Sequence, residues 1–204
     1  PVPYLFRNYP SCGPGEAGGG SLPESRFAGT STSPWFRATM ASAAAPTYFD
    51  PQYVVPARGG KDPIRLQDGG LVANNPVGVA LAEARALFPD RDVDVLVSVG
   101  TGAPPPAAHA ASGLRGLFTT LTYAAVNTTA ISAAIEDALA HSTSTFYARL
   151  QPTDPSFDAD LGEVDNEVLR RIEEAAQAHL SAEPMASMLQ QVADRMCNRL
   201  PLDE

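Results

Sequence analysis

The amino-acid sequence predicts an α/β fold, with a partly parallel sheet and helices on both of its faces. A short apolar segment at 63–66 is followed by helical spacing of apolar residues at 77–88 and by a valine-rich run at 93–99. Strands that alternate with helices over short connections are typical of parallel sheets. The apolar end of the third segment is typical of a buried parallel strand. We therefore expect these three segments to form a βαβ unit.

The first third of the chain predicts short elements around one long loop. Residues 2–6 are apolar and favour a strand, and a second short strand is expected at 54–55. Residues 10–33 are rich in Gly, Pro and Ser, which is typical of a flexible surface loop. The alanine-rich residues 35–45 have a helical pattern, and Pro46 ends it because proline lacks a backbone N–H.

The second half of the chain predicts three further helices and one strand. Residues 103–113, with three consecutive prolines, are expected to form a Pro/Ala loop. Apolar residues then recur at helical spacing over about 115–140, and an apolar run at 145–150 favours a strand. Two more helices are indicated by the apolar faces of residues 168–180 and 188–196.

Composition limits the classes of protein to which the chain can belong. Its 204 residues are enough for one domain with a sizeable core. With 14 basic and 23 acidic residues, the net charge is −9, which argues against nucleic-acid binding and a polybasic membrane anchor. No apolar run reaches transmembrane length and no signal peptide is recognisable, so we expect a cytoplasmic protein that meets membranes only peripherally. The chain starts at Pro1 rather than Met, which we interpret as the start of an excised piece.

The cysteines and histidines do not predict a metal site. Cys12 and Cys197 are far apart in the sequence, so they imply neither a disulfide framework nor zinc-type spacing. His109, His141 and His179 share no metal-like spacing, and we expect structural or solvated roles for them. No cofactor is predicted.

One polar motif stands out from the apolar pattern. Asp68 follows the short strand at 63–66, and Gly69 and Gly70 allow other backbone or a substrate to approach it closely. Asn75 is predicted to be the N-cap of the next helix, with Pro76 at its first position. A carboxylate at a strand end beside a glycine turn is a common setting for a catalytic base, although a simple surface turn has the same pattern.

A serine nucleophile is not recognisable in the chain. Acyl-transfer enzymes of the α/β class carry Gly-x-Ser-x-Gly between a strand and a helix. Residues 96–100 contain Ser98 and a final glycine without the first one, and residues 19–23 and 29–33 lack the last glycine. The glycines at 18–20 have no strand before them, so we interpret them as loop rather than as an oxyanion or phosphate site.

Several motifs occur in a fixed order along the chain and together resemble one family. The motifs are Phe6-Arg7-Asn8-Tyr9, the run from Arg37 to Phe49, Asp68-Gly69-Gly70 with Asn74-Asn75-Pro76, and Ser98-Val99-Gly100-Thr101-Gly102. Their order and spacing are similar to the second half of the catalytic domain of patatin-like phospholipases, including intracellular, calcium-independent phospholipases and their fungal multidomain relatives.

The resemblance implies a three-layer patatin-like fold, with residues 1–204 forming the C-terminal part of a catalytic domain whose N-terminal portion is absent. It implies hydrolysis of lipid acyl esters by a Ser–Asp dyad, in which Asp68 accepts the proton of the serine hydroxyl. The motif neighbours that would shape the site without reacting are Gly69, Gly70, Asn74, Asn75 and the turn from Ser98 to Gly102.

The family's serine motif and its glycine-rich oxyanion loop both precede the part that this chain resembles. We therefore expect an N-terminal segment of the same gene product to carry the serine, and the isolated chain to be inactive. The expected substrate is a phospholipid or an acylglycerol at a membrane surface. The alternative is a non-catalytic lipid-binding or interaction module that keeps the fold. Trp35 and Phe36 could contact acyl chains, but we expect them to pack in the core.

Overall fold

Pairs of short strands, flanked by helices, make up the described part of the chain. The computed structural model describes residues 2–11, 23–55, 62–102, 128–159 and 162–198. These residues divide into two compact units, one reaching to Arg91 and including Thr128, the other formed by residues 92–102 and those from Thr129 onward. The mixture of helices with short parallel and antiparallel pairs confirms the α/β class.

The first unit contains four strands and three helices. Its elements are β1 Leu5–Phe6, β2 Gly29–Thr30, α1 Trp35–Ser42, β3 Gln52–Val54, β4 Ile64–Leu66, α2 Gly70–Ala73 and α3 Val77–Leu87. β1 pairs in parallel with β2, and β3 pairs antiparallel with β4, with Tyr53 opposite Arg65. The buried apolar residues of this unit are Ala41, Ala44, Val54, Val77 and Leu81.

The second unit contains one parallel strand pair and the remaining helices. Its elements are β5 Val95–Val99, α4 Thr129–Leu139, β6 Phe146–Leu150, a 3-10 helix at Pro155–Phe157, α5 Asn166–Ser181 and α6 Met185–Cys197. β5 pairs in parallel with β6, in a register that places Val95 opposite Phe146 and Val99 opposite Leu150.

Helices α4 and α6 contact opposite faces of the β5–β6 pair. Neighbouring residues of a strand point to opposite faces. Tyr147 shares a hydrogen bond of 3.0 Å with Ser132 of α4, whereas the ring of Phe146 lies 5.1 Å from the Arg195 guanidinium of α6. Arg195 also pairs with Asp94, directly before β5, at 3.6 Å. Side chains from both helices therefore fix this pair.

Most predicted elements exist, with ends that differ by a few residues. The helix expected at 35–45 ends at Ser42, and the run at 93–99 is a strand from Val95. Of the long helix predicted near 115–140, the described part is Thr129–Leu139. The Pro/Ala loop at 103–113 and residues 12–22 of the predicted loop 10–33 lie outside the described residues.

The described strand pairs are β3 with β4 and β5 with β6, so the βαβ unit expected from the segments at 63–66, 77–88 and 93–99 stays a prediction. Two expectations need correction. The loop predicted at 10–33 contains a strand, Gly29–Thr30, whose partner β1 supplies the hydrogen bonds that its composition does not predict. Trp35 and Phe36 do not pack in the core, since they are 83% and 61% exposed.

Candidate active site

The backbone of Asp68 is fixed by the end of helix α1. The N–H of Asp68 donates to the carbonyl of Ala44 at 3.0 Å, and the N–H of Gly69 donates to the carbonyl of Ser42 at 3.3 Å. The last carbonyls of a helix have no partner within the helix, so they are available to bind a neighbouring loop. Ala44 is fully buried at this junction, where the absence of a larger side chain permits close approach. The alanine-rich sequence thus positions the aspartate.

The carboxylate of Asp68 is oriented by the turn that follows it. Its Oδ1 accepts a hydrogen bond of 2.6 Å from the N–H of Gly70, and its carbonyl accepts one of 3.2 Å from Leu71. The side chain is half-buried. These bonds start the short helix Gly70–Ala73, which the sequence pattern did not predict. Asp68 therefore precedes the N-cap Gly69, binds the first residue of that helical turn and remains partly accessible.

The two glycines beside Asp68 have different surroundings. A Cβ added at Gly70 would lie 2.9 Å from Oδ1 of Asp68 and 3.3 Å from Oδ1 of Asn74, so any side chain there would displace the carboxylate. A Cβ added at Gly69 would meet nothing within 4 Å. Gly70 thus leaves room for the carboxylate, and open space adjoins Gly69.

Asn75 lies one residue before the N-cap of helix α3, which is Pro76 rather than the predicted Asn75. Its buried side chain accepts a hydrogen bond of 3.3 Å from the N–H of Val77. Helix α3 begins at Val77, so Pro76 precedes it rather than occupying its first position. Asn74 ends the short helix α2, with its side-chain oxygen near Gly70. Both asparagines therefore shape the chain after Asp68.

A buried ionic cluster, which the sequence did not reveal, joins strand β1 to helix α3. Nε of Arg7 lies 2.6 Å from Oε2 of Glu83, and the hydroxyl of Tyr9 donates to the same oxygen at 2.9 Å. Ser25 donates to Glu83 and accepts from Arg7 at 2.7 Å. A Cβ at Gly29 would collide with the Arg7 guanidinium. The glycine of β2 is therefore needed for the arginine to enter the cluster.

The contacts of this cluster shift the pKa values of its members. Burial acts to raise the pKa of Glu83, but hydrogen bonds from Arg7, Ser25 and Tyr9, together with the charge of Arg7, lower it overall. Burial acts to lower the pKa of Arg7, and the contact with Glu83 outweighs it. The pKa of Tyr9 is raised by burial and by the neighbouring carboxylate. Glu83 and Arg7 therefore stay charged in their buried positions.

The turn from Ser98 to Gly102 forms a separate polar cluster within the second unit. Ser98 is buried, and its hydroxyl accepts a hydrogen bond of 2.6 Å from Arg149. Arg149 also donates to Gln151, and a Cβ at Gly100 would collide with that glutamine. Gly102 has a φ of +125° and faces Phe157. Ser98 thus has a structural partner, in agreement with its poor match to a nucleophile motif.

The described histidines and the described cysteine do not form a metal site. His141 is exposed just beyond α4, and His179 is half-buried on α5. His109 and Cys12 lie outside the described residues, and Cys197 is exposed at the end of α6. Within the described ranges, His, Cys, Asp and Glu form no group of three that could hold a metal ion. In the same ranges, no helix has the length and apolar character needed to cross a bilayer.

Comparison with known proteins identifies phospholipases. The chain is 32% identical to Phospholipase A I of Arabidopsis thaliana over 185 residues, which are 90% of the chain and 13% of that protein. It is 37% identical to calcium-independent phospholipase A2-gamma of Oryctolagus cuniculus and 36% identical to the Homo sapiens protein of that name. Each of these two matches covers 104 residues, 50% of the chain and 11% of the relative.

The chain spans 13% or less of the length of these curated relatives. Neither a family model nor a solved structure matches it. The two kinds of phospholipase nevertheless confirm the resemblance that the ordered motifs indicated, which is a resemblance to the patatin-like phospholipase family.

Proposed function

We propose that the protein containing this chain hydrolyses lipid acyl esters with a Ser–Asp dyad, for which residues 1–204 supply Asp68. The observation that carries the proposal is the placement of Asp68, whose carboxylate is oriented by Gly70 beside the open space at Gly69. A base must be held in place before its nucleophile arrives, since catalysis depends on geometry as well as on proton affinity. The likeness to phospholipases supports a lipid ester as the substrate.

The proposed reaction passes through an acyl-enzyme. The serine hydroxyl transfers its proton to Asp68 while its oxygen attacks the ester carbonyl. The carbon–oxygen bond to the alcohol then breaks, and the alcohol leaves with that proton. In the second half, a water gives a proton to Asp68 as it attacks the acyl group. The fatty acid leaves as the serine regains its proton.

The serine and its oxyanion donors belong, in this proposal, to a segment that precedes residue 1 in the natural protein. Residues 1–204 then form the C-terminal part of a three-layer catalytic domain. The absence of a Gly-x-Ser-x-Gly sequence from the chain and the structural partner of Ser98 support that division. We further propose a cytoplasmic protein that meets phospholipid or acylglycerol at a membrane surface and uses no metal or cofactor.

A non-catalytic lipid-binding or interaction module is the second candidate. The observation that favours it is the hydrogen bond that the buried hydroxyl of Ser98, the serine that best matched the nucleophile motif, accepts from Arg149. The two candidates differ in one feature of the natural protein, since only the enzyme requires a strand, a Gly-x-Ser-x-Gly turn and a helix upstream of residue 1.

Substitution of Asp68 tests the catalytic proposal. In the natural protein, Asp68→Asn should lower kcat on a p-nitrophenyl ester by at least about 100-fold, since general-base catalysis contributes on this scale. Asp90→Asn, the same chemical change at an exposed position after α3, should leave kcat unchanged. Unchanged turnover in Asp68→Asn would refute the role assigned to Asp68, and a natural protein without the serine motif would favour the interaction module.

A further inference from the structure

Helix α1 carries its large apolar side chains on the outside. Trp35, Phe36 and Met40 are 83%, 61% and 52% exposed, whereas Ala41 is buried. At 3.6 residues per turn, the three large residues lie on one side of the helix and Ala41 on the other. We call Trp35, Phe36 and Met40 the outward face. A helix that is apolar on both sides is typical of one buried on both sides.

The C-terminal end of α1 lies next to the candidate catalytic aspartate. Met40 precedes Ala44 by one turn, and the carbonyls of Ser42 and Ala44 hold the backbone of Gly69 and Asp68. The helix is about 12 Å long at 1.5 Å per residue. A protein segment or a lipid surface that covers its whole length therefore also reaches the end of the helix that binds the backbone of Asp68. A segment that binds the outward face would therefore also come near the carboxylate of Asp68.

We propose that the outward face is the docking surface for the serine-bearing segment of the same natural protein, a proposal that rests on the function proposed above. Docking there would bring that segment to the open side of Asp68, beside Gly69. The chain spans 13% or less of its curated relatives, so their sequences extend well beyond the part that it matches. Aromatic residues and methionine are enriched at the centres of protein interfaces.

The charge distribution favours a protein segment over a lipid surface. The net charge of the chain is −9, and the single basic residue of α1 is Arg37, whose guanidinium lies 5.9 Å from the Phe36 ring. Helices that lie in a membrane interface usually carry several Lys or Arg residues on their polar face. The eight residues of α1 lack that pattern. An apolar protein surface is therefore the better match.

Oxidative footprinting of the unmodified natural protein tests the proposal without a substitution. Hydroxyl radicals oxidise exposed methionines, and Met196 is a matched internal control because it is 60% exposed, close to the 52% of Met40. With the segment docked, Met40 should oxidise at least about tenfold more slowly than Met196. Similar rates at both methionines would overturn the proposal. Protection of Met40 that requires added phosphatidylcholine vesicles would also overturn it, in favour of a lipid surface.

Photo-cross-linking identifies the occupant. With p-benzoylphenylalanine in place of Phe36, the cross-linked peptide should come from the segment upstream of residue 1 that contains the serine motif. A cross-link to residues 1–204, of the same or of a second copy, would contradict the proposal. These results are independent of the proposed reaction, because a failure of Asp68→Asn to change kcat would not alter Met40 protection or the cross-link.

Discussion

At the scale of single residues, the orientation of Asp68 depends on the missing side chain of Gly70. The hydrogen bond from Gly70 N–H holds Oδ1 at 2.6 Å, and a Cβ at that glycine would lie 2.9 Å from the same oxygen. Because the carboxylate is the mobile end of a side chain, it would move away from the new methyl group. The fold would stay the same, but the catalytic carboxylate would lose its orientation.

Gly70→Ala should therefore lower kcat of the natural protein on a soluble ester with little change in unfolding free energy. A displacement of about 1 Å at a catalytic group costs roughly 100-fold in rate, which sets the scale expected here. Gly162→Ala is the matched control, because a Cβ there meets nothing within 4 Å. Full activity in Gly70→Ala would mean that the carboxylate orientation seen here is not the reactive one.

The hydrogen bonds of Asp68 and Asn75 suit prediction from the sequence because their partners lie within a few positions, whereas the catalytic role of Asp68 stays a prediction. Asp68 binds Gly70 and Asn75 binds Val77, both two positions away. The Arg7–Glu83 pair was missed because its members are 76 positions apart, and a charged residue on a helix usually faces solvent. The signal in the sequence was weak: Glu83 follows the apolar Val79 by one turn. Only the fold brings this pair together.

At the scale of elements, the cluster around Glu83 attaches strand β1 to helix α3. The side chains of Arg7 and Glu83 are 3% and 11% exposed, so the removal of one charge leaves the other buried without compensation. Glu83→Gln should lower the unfolding free energy by about 3 kcal/mol, the usual cost of breaking such a pair. Urea unfolding followed by circular dichroism measures it.

Glu174→Gln on α5 is the control for that change. Glu174 pairs with Arg170, but both side chains are more than half exposed, and exposed pairs contribute little. Equal losses in the two variants would show that the Arg7–Glu83 pair is not effectively buried.

Acid should weaken the same connection. The pKa of Glu83 is lowered from its ordinary value of 4.5, so the unfolded chain takes up a proton at this residue before the folded protein does. The stabilisation is complete above that ordinary value and is lost as the pH falls through the lowered pKa. The difference in unfolding free energy between wild type and Glu83→Gln should accordingly shrink below about pH 4.5. A difference that stays constant down to about pH 3 would contradict this linkage.

The partners of the strands were harder to predict than the strands themselves. Apolar residues mark β5 and β6 in the sequence, yet paired residues such as Val99 and Leu150 are 51 positions apart in the chain. Pairing depends on which apolar faces meet after folding, and the pattern of one strand does not encode this. The sequence pattern therefore indicates where β4 and β5 lie, but not that β3 and β6 are their partners.

At the scale of the whole molecule, helix α1 shows why hydrophobicity alone led to a wrong prediction for Trp35 and Phe36. Both were expected in the core because they are apolar, and both are exposed. Hydrophobicity predicts burial without specifying the surface that provides it. Within the described residues Ala41 and Ala44 are buried, whereas the larger residues of the same segment remain exposed. The helix was predicted correctly, and the core packing expected for Trp35 and Phe36 was wrong.

The division of the proposed dyad gives the last prediction, which concerns residues 1–204 as an isolated chain. An aspartate activates a serine only within hydrogen-bond reach, and the proposal places that serine outside the chain. The isolated chain should therefore turn over p-nitrophenyl butyrate no faster than buffer does. The natural protein should hydrolyse it, and its Asp68→Asn variant should fall toward the isolated chain. The prediction would be contradicted if the isolated chain hydrolysed the ester and Asp68→Asn abolished that activity. The nucleophile would then lie among residues 1–204, and the dyad would be complete within them.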